Sequence, residues 1–261
     1  MRSGPISRRA LLRSAAAISA SGPILMKARE PNGAIKYVAT AESIDVYRTE
    51  AGEKRKVQSV STQRPSSLTL DITGRYLFAV NEIDEFQGLP TGSVESYGVV
   101  DPGTGKLDRI SRSQLSLSAT MPRHLALSPD GRHLVVAAYG GGIYNVLSVR
   151  PNGEIGGITQ VIKEIGHSIR RGPQSSAHPH SIVFHPSGEF LIGTDTGADR
   201  INVFRIQDGH MACVHRHATV PGGGPAELAL DASGCKVVVE HRFSSCVAQY
   251  RFDSRSGTLL S

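Results

Sequence analysis

The chain has 261 residues, of which 39% are apolar and 20% are charged, and this composition can bury the core of one globular domain. The formal net charge is +6, but part of it comes from the first thirty residues, and no segment interleaves basic with aromatic side chains. Composition and charge therefore exclude the usual kind of nucleic-acid platform, and we expect no nucleic-acid partner.

The amino-terminal segment resembles a twin-arginine export signal. Arg8 and Arg9 lie in a basic run at residues 7–13, and residues 15–26 carry little charge. An ordinary helix is the alternative, and no clear small-x-small cleavage site follows. No other apolar run approaches the ~20 residues that span a bilayer. We predict residues 1–33 as signal and linker and residues 34–261 as a partial β-propeller.

This division also predicts where the protein is found. A working signal would place the mature protein in the periplasm or outside the cell, with no membrane association after export. If the signal does not function, the protein would remain in the cytoplasm.

A phrase that reads Pro-x-x-(Leu/Ile)-x-(Leu/Phe)-x-x-x-Gly occurs four times in the chain. Its prolines are Pro65, Pro122, Pro179 and Pro225, and its glycines are Gly74, Gly131, Gly188 and Gly234. The spacing between copies is typical of β-propeller blades.

Each copy predicts a hairpin followed by further strands. In residues 122–139, alternating leucines form one strand, residues 128–131 a tight turn, and residues 134–138 a second strand. Third strands are predicted at residues 93–100, 143–149, 201–206 and 247–252, and less distinct outer strands at residues 158–162 and 211–215. The predicted fold class is therefore all-β, a propeller of four-stranded blades. Because Trp is absent, we expect these blades to pack mainly on Leu, Val, Ile and Ala.

Antiparallel pairing predicts which residues share one end of each blade. Residues just after each proline should lie beside those seven and eight positions after each glycine, and blades around a channel would bring these ends together. The positions hold Ser66, Ser67, Asn81 and Glu82; Arg123, His124, Ala138 and Tyr139; His180, Ser181, Asp195 and Thr196; and Ala226, Glu227, His241 and Arg242. Polar and ionisable types dominate, which indicates a functional site, although nearby water also favours polar residues at strand ends.

Other chemistries fit these residues less well. His178 and His180 could form a metal-binding pair, since alternate residues of a strand share a face, but no suitable third ligand accompanies them. A triad of Ser181, His180 and Asp195 lacks a nucleophile-elbow sequence, and adjacent residues of a strand point to opposite faces. We therefore predict neither a metal site nor covalent catalysis. The glycines at residues 140–142 are interpreted as a turn between strands.

Three cysteines, Cys213, Cys235 and Cys246, cannot all pair within one chain. Cys235 and Cys246 fall at opposite ends of the predicted last hairpin. We expect free thiols that are mostly buried.

Residues 64–82, 122–142 and 178–188 closely resemble the lactonase family of seven-bladed propellers, which contains bacterial 6-phosphogluconolactonases and fungal carboxymuconate cycloisomerases. The resemblance covers approximately residues 37–259. It implies the opening, or in the cycloisomerase branch the closing, of a lactone ring on an anionic substrate without a metal or organic cofactor. It implies His180 as the acid/base group, because a histidine pKa lies near neutrality. The further catalytic residues would be His124 and Glu82, and the substrate-binding residues Asn81, Arg123, Tyr139, His178, Asp195 and Arg200.

The fourth copy departs from the family pattern. The family usually has Gly-Pro-Arg-His, with Asn-Glu at the end of the second strand, whereas this chain has Gly-Pro-Ala-Glu at residues 224–227 and then His241 and Arg242. We expect Glu227 and Arg242 to form an ion pair of reversed polarity across the hairpin.

Four copies and a partial blade at residues 37–60 represent about five blades, which is fewer than seven. We expect a truncation at the carboxyl terminus; the alternative is closure by a partner chain, including self-association through open blade edges. The predicted function is 6-phosphogluconolactonase-like hydrolysis of a sugar lactone or related anionic lactone in carbohydrate metabolism. The alternative is a catalytically inactive propeller that acts as a binding or interaction scaffold.

Overall fold

The computed structural model describes residues 25–30 and 33–260. Within these ranges every regular element is a β-strand, and the strands form five antiparallel sheets of four strands each. The prediction of an all-β chain with four-stranded blades is therefore confirmed. The described residues include no helix with the length and apolar character needed to cross a membrane. Arg8 and Arg9, with most of the predicted export signal, lie outside the described residues.

The strands of each sheet pair with their neighbours in chain order. The first sheet contains β1 (Leu25–Glu30), β2 (Gly33–Ala39), β3 (Ser43–Glu50) and β4 (Glu53–Ser61). The second contains β5 (Pro65–Leu70), β6 (Tyr76–Asn81), β7 (Ser93–Asp101) and β8 (Lys106–Gln114), and the third β9 (Pro122–Leu127), β10 (His133–Ala138), β11 (Ile143–Val149) and β12 (Ile155–Lys163). The fourth contains β13 (Pro179–Phe184), β14 (Phe190–Asp195), β15 (Arg200–Gln207) and β16 (His210–Ala218), and the fifth β17 (Pro225–Leu230), β18 (Lys236–His241), β19 (Cys246–Asp253) and β20 (Thr258–Leu260).

The described residues form two compact units, one within residues 21–163 with the first three sheets and one within residues 164–261 with the last two. In the first unit, Tyr37 and Leu77 belong to one buried cluster, and Val80 and Leu125 to another. In the second unit, the core contains Phe190, Val203, Val239 and Phe252. Burial of each such side chain stabilises the fold by roughly 1.5–3 kcal/mol. Tyrosine and phenylalanine thus share these cores with the predicted aliphatic residues.

Each repeat folds into the hairpin that its sequence predicts. The proline at the start of the first strand pairs with the residue seven positions after the glycine: Pro65 with Asn81, Pro122 with Ala138, Pro179 with Asp195, and Pro225 with His241. The four repeat glycines have φ between 71° and 76°, a left-handed conformation that glycine adopts without steric cost. The tight turn therefore explains why the phrase ends in glycine.

The three cysteines are free thiols, as expected, but the expectation of burial is wrong for two of them. Cys235 and Cys246 are exposed, and Cys213 is partly buried. Cys235 lies in the turn between β17 and β18. Cys246 begins β19, and within the described ranges β20 pairs only with residues 251–253 at the other end of that strand.

Candidate functional site

A β-bulge follows the proline of every repeat. One strand has an extra residue between Pro65 and Ser67, between Pro122 and His124, between Pro179 and Ile182, and between Pro225 and Leu228. An extra residue bends the strand and changes the direction of the side chains beside it. The bulges coincide with the positions predicted to carry the functional site.

One further backbone bond closes each hairpin beyond its proline. The amide eight positions after the glycine donates to the carbonyl before the proline, at 2.8 Å for Glu82 and 3.2 Å for Tyr139. Thr196 and Arg242 make the equivalent bonds, at 3.0 and 2.8 Å. The backbone of these residues is therefore held beside the bulge, and this fixes the positions from which their side chains extend.

Arg123 lies at the bulge of β9 and contacts two other predicted site residues. Its Nη2 lies 3.2 Å from Oε1 of Glu82, and its guanidinium carbon lies 5.4 Å from the centre of the Tyr139 ring. Its Nε is buried and has no hydrogen-bond partner in the described part of the chain. Leaving such a donor unbonded is costly, so Arg123 has the capacity to bond one more oxygen atom.

His124 follows Arg123 in β9. Burial lowers the pKa of its imidazole to about 4, because the charged ring would lose hydration. The ring is therefore neutral at pH 7, where one nitrogen can donate a hydrogen bond and the other can accept one.

Asn81 uses its amide within the protein. Its Nδ2 donates to Oγ1 of Thr62 and to the carbonyl of Gln63, both at 2.7 Å, and its Oδ1 accepts a bond from Ser93 Oγ at 2.9 Å. The side chain is fully buried. These bonds hold the end of β6 against the chain that enters β5, so Asn81 supports the shape of this blade end.

Sequence reasoning missed a buried carboxylate in this unit. Glu95 of β7 is fully buried, accepts a hydrogen bond from Tyr97 Oη at 2.6 Å, and lies 3.3 Å from Arg109 Nη1 and 3.4 Å from Arg112 Nε. The two cations offset the loss of hydration. Burial and the adjacent carboxylate raise the pKa of Tyr97, which stays protonated. A single acidic residue within an otherwise uncharged predicted strand was the signal that could have revealed this group.

In the unit of residues 164–261, Asp195 and Arg200 join in a buried ion-pair network. Arg200 Nη2 lies 2.9 Å from Asp195 Oδ2 and 2.6 Å from Oε2 of Glu164, a residue that sequence reasoning did not single out. Asp195 Oδ1 accepts a backbone bond from His178 at 2.7 Å and two from the turn after β14, each at 3.1 Å. Asp195 therefore fastens the turn after β14 to the start of β13.

His180 lies in the bulge of β13, and its side chain is only 7% exposed. Its Nδ1 lies 3.7 Å from Oε1 of Glu227 in β17 of the adjacent sheet. The predicted ion pair between Glu227 and Arg242 does not form among the described residues. Arg242 is exposed beyond the end of β18, whereas Glu227 lies in the bulge of β17 and contacts His180. That expectation was wrong because the sequence does not show the bulge.

The His178 ring lies two positions before His180 and is partly exposed. Its Nε2 lies 3.4 Å from Ser176 Oγ. Among the described residues, no three or more His, Cys, Asp or Glu side chains are grouped so that they could hold a metal ion.

The predicted site residues fall into two groups, one in each unit. The unit of residues 21–163 contains Asn81, Glu82, Arg123, His124 and Tyr139, and the unit of residues 164–261 contains His178, His180, Asp195 and Arg200.

Comparison with known proteins identifies the family. The sequence model of the lactonase, seven-bladed β-propeller family matches residues 34–226. The chain belongs to this lactonase family. The resemblance found in its motifs is thereby confirmed.

Solved structures and a curated relative are similar to this chain. The periplasmic gluconolactonase PpgL of Pseudomonas aeruginosa is 32% identical, with a TM-score of 0.76 over 86% of this chain and 65% of PpgL. A Bacteroides fragilis protein with a provisional 6-phosphogluconolactonase name is 22% identical, with a TM-score of 0.75 over 85% of this chain and 62% of that one. An uncharacterised Staphylococcus saprophyticus protein is 25% identical over 84% of this chain and 63% of its own length. The chain thus spans slightly less than two thirds of the length of these relatives.

The polar residues of this member of the lactonase family differ in what their side chains contact. Asn81, Asp195 and Arg200 bond to other parts of the protein and hold strand ends in place. Arg123 has a buried donor that no described residue uses, and His180 lies against a carboxylate that can assist proton transfer. Within its own unit, Arg123 therefore has a donor available for one more hydrogen bond, and within the other unit His180 lies beside a carboxylate.

Proposed function

We propose that this chain binds a lactone of a sugar acid and hydrolyses its ring ester, with His180 as the general base. The observation that carries the proposal is the buried His180 imidazole beside the Glu227 carboxylate, in a chain of the lactonase family. PpgL, which is named a gluconolactonase, supports a sugar-acid lactone as the substrate class.

The proposed reaction moves one proton twice. First, the imidazole takes a proton from water as the water oxygen bonds to the lactone carbonyl carbon, and the carbonyl oxygen becomes negative. Then the carbon–oxygen bond of the ring breaks, the carbonyl reforms, and the imidazolium returns the proton to the ring oxygen. Histidine suits both steps because its pKa lies near neutrality. The product is the open hydroxy acid.

Within the unit of residues 21–163, Arg123 remains the predicted residue for binding an anion, and this prediction is separate from the chemistry proposed for His180. A guanidinium group bonds carboxylate and phosphate oxygens through several donors. One nitrogen of Arg123 is held 3.2 Å from Glu82, while its buried Nε has no partner in the described ranges. This unbonded donor supports the prediction.

The proposal is tested by measuring acid release from a panel of sugar lactones, phosphorylated and not, after subtraction of spontaneous hydrolysis. We expect His180→Ala to lower the rate by about 10²- to 10⁴-fold, the usual contribution of acid/base catalysis. His167→Ala, at an exposed position, is the matched control and should keep the wild-type rate. Equal rates for wild type and His180→Ala would exclude His180 as the base. If the wild type opened none of the lactones, the binding scaffold would become the better interpretation.

We also propose export through the twin-arginine segment. The paired Arg8 and Arg9 support this, as does the periplasmic location in the name of PpgL.

A further inference from the structure

We infer that Glu227 is a positioning residue for His180. Its carboxylate would hold the proton on Nδ1 of the imidazole, so that Nε2 carries the lone pair that accepts a proton from water. The catalytic part of this inference rests on the proposed function, whereas the pairing of the two side chains can be tested without a substrate.

The environments of the two side chains favour this pairing. The His180 side chain is 7% exposed and the Glu227 side chain 36% exposed, so the carboxylate keeps part of its hydration. The distance of 3.7 Å from Nδ1 to Oε1 is longer than a hydrogen bond. Hydrogen bonds between catalytic groups are often long without substrate and shorten in the complex. A small rotation of the partly exposed glutamate would close the gap.

The backbone holds these side chains next to each other. His180 lies in the bulge between Pro179 and Ile182, and Glu227 in the bulge between Pro225 and Leu228. Two threonine hydroxyls donate to the two carbonyls before Glu227: that of Thr196, just after β14, to Pro225 at 2.7 Å, and that of Thr194, in β14, to Ala226. The contact between Glu227 and His180 is therefore built into the junction of the two sheets.

The strands around β13 carry few other ionisable groups. From β14, Asp195 is bonded by Arg200 and by the backbone of His178. β17 contributes Glu227, and His241 lies at the end of β18, the next strand. Burial lowers the pKa of His241, although Asp199 opposes part of this effect, so that ring is neutral at pH 7. Glu227 is thus the carboxylate that the described contacts place at His180.

The contact predicts the direction in which Glu227 shifts the pKa of His180. A charged glutamate stabilises the imidazolium form, so the pKa of His180 should be higher with Glu227 than with a neutral glutamine. Replacing Glu227 with Gln should lower that pKa by about one unit, which is a factor of ten in the protonation equilibrium.

The test is a titration of the histidine ring signals by NMR in the full chain. His180 is assigned from the signal that His180→Ala lacks, and its pKa is compared between wild type and Glu227→Gln, with Glu227→Asp expected to lie between them. Glu189→Gln, which breaks the exposed pair with Arg205 in the same unit, is the matched control and should leave the His180 titration unchanged. An unchanged His180 pKa in a folded Glu227→Gln protein would overturn the inference.

Kinetics then separates this inference from the proposed function. If the wild type opens a lactone, Glu227→Gln should lower kcat at least about tenfold at pH 7 with little change in KM, and should move the acidic limb of the rate profile to lower pH. If the acidic limb of the rate profile did not shift in Glu227→Gln, Glu227 would have no positioning role. If the wild type is inactive, the proposed function and the catalytic role both fail, and the titration alone decides whether Glu227 and His180 are paired.

Discussion

Burial determines the protonation of several histidines in this chain. It lowers the pKa of His124 to about 4, and it also lowers the pKa values of His185, His217 and His241. These rings lie among packed strands, where an imidazolium would lose hydration. Their neutral forms therefore predominate at pH 7, and His124 can serve a substrate as a hydrogen-bonding group but not as a cation.

The low pKa of His124 makes a prediction about stability. Its folded value lies below the ordinary value of 6.5, so the unfolded chain takes up the proton first as the pH falls. The folded state is therefore not penalised by His124 above pH 6.5, and the unfolding free energy decreases as the pH falls from 6.5 towards 4. We expect His124→Gln to make the rise of the unfolding free energy with pH shallower in this window, by on the order of 1 kcal/mol per pH unit.

Urea unfolding at a series of pH values between 4 and 8 would measure that slope. His167→Gln, which removes an imidazole from an exposed loop, should keep the wild-type slope. If His124→Gln and His167→Gln both kept the wild-type slope, desolvation of His124 could not be the cause of the pH-dependent stability.

Close approach between backbone segments explains one of the glycines outside the repeated phrase. Residues 140–142 form the turn between β10 and β11, as the sequence predicted. A Cβ atom on Gly141 would lie 1.7 Å from the carbonyl oxygen of Ser118, in the segment between β8 and β9. The two segments can pass each other here only because this residue has no side chain.

Gly141→Ala should therefore destabilise the protein by about 3 kcal/mol or more, since backbone must move to make room. The matched control is Gly157→Ala in β12 of the same sheet, where a Cβ would meet nothing within 4 Å. That change should alter the unfolding free energy by less than about 1 kcal/mol. Chemical denaturation of both variants measures the difference, and equal effects would contradict the steric explanation.

The sequence predicted the hairpins, but it did not predict the bulges within them or the full length of the outer strands. Alternating apolar residues and turn glycines predicted the hairpins, but Ala138 pairs with Pro122 itself and not with the residues just after it. The bulge beside Pro122 was not predictable, because an extra residue in one strand depends on how its partner packs and twists. The outer strands β12 and β16 extend beyond their predicted ranges, since they are mostly exposed and have a weak apolar pattern.

The family of the chain is established, whereas export of the protein from the cytoplasm is a proposal. The family match and the five four-stranded sheets agree with the motifs of the repeated phrase. The export segment lies outside the described residues, and it therefore needs a test in cells.

We expect residues 1–33 to export a folded reporter protein, because the twin-arginine route carries folded cargo and reads the arginine pair. Replacing Arg8 and Arg9 together with Lys should retain the positive charge but reduce export at least about tenfold, as a receptor-read address requires the arginines themselves. Cell fractionation with a reporter assay measures this. Equal export by the Lys variant, or a reporter that stays in the cytoplasm with the native segment, would contradict the proposal.

The amino-acid sequence was sufficient for the fold class, the hairpins and the family, because these depend on local signals: alternating apolar residues, turn glycines and a phrase repeated along the chain. Only the tertiary structure showed that Glu227 contacts His180 instead of Arg242, that Asp195 bonds Arg200 and Glu164, and that Glu95 is buried between two arginines. Those contacts join residues that are distant in the chain. They depend on bulges, packing and burial, which act only after the strands have assembled.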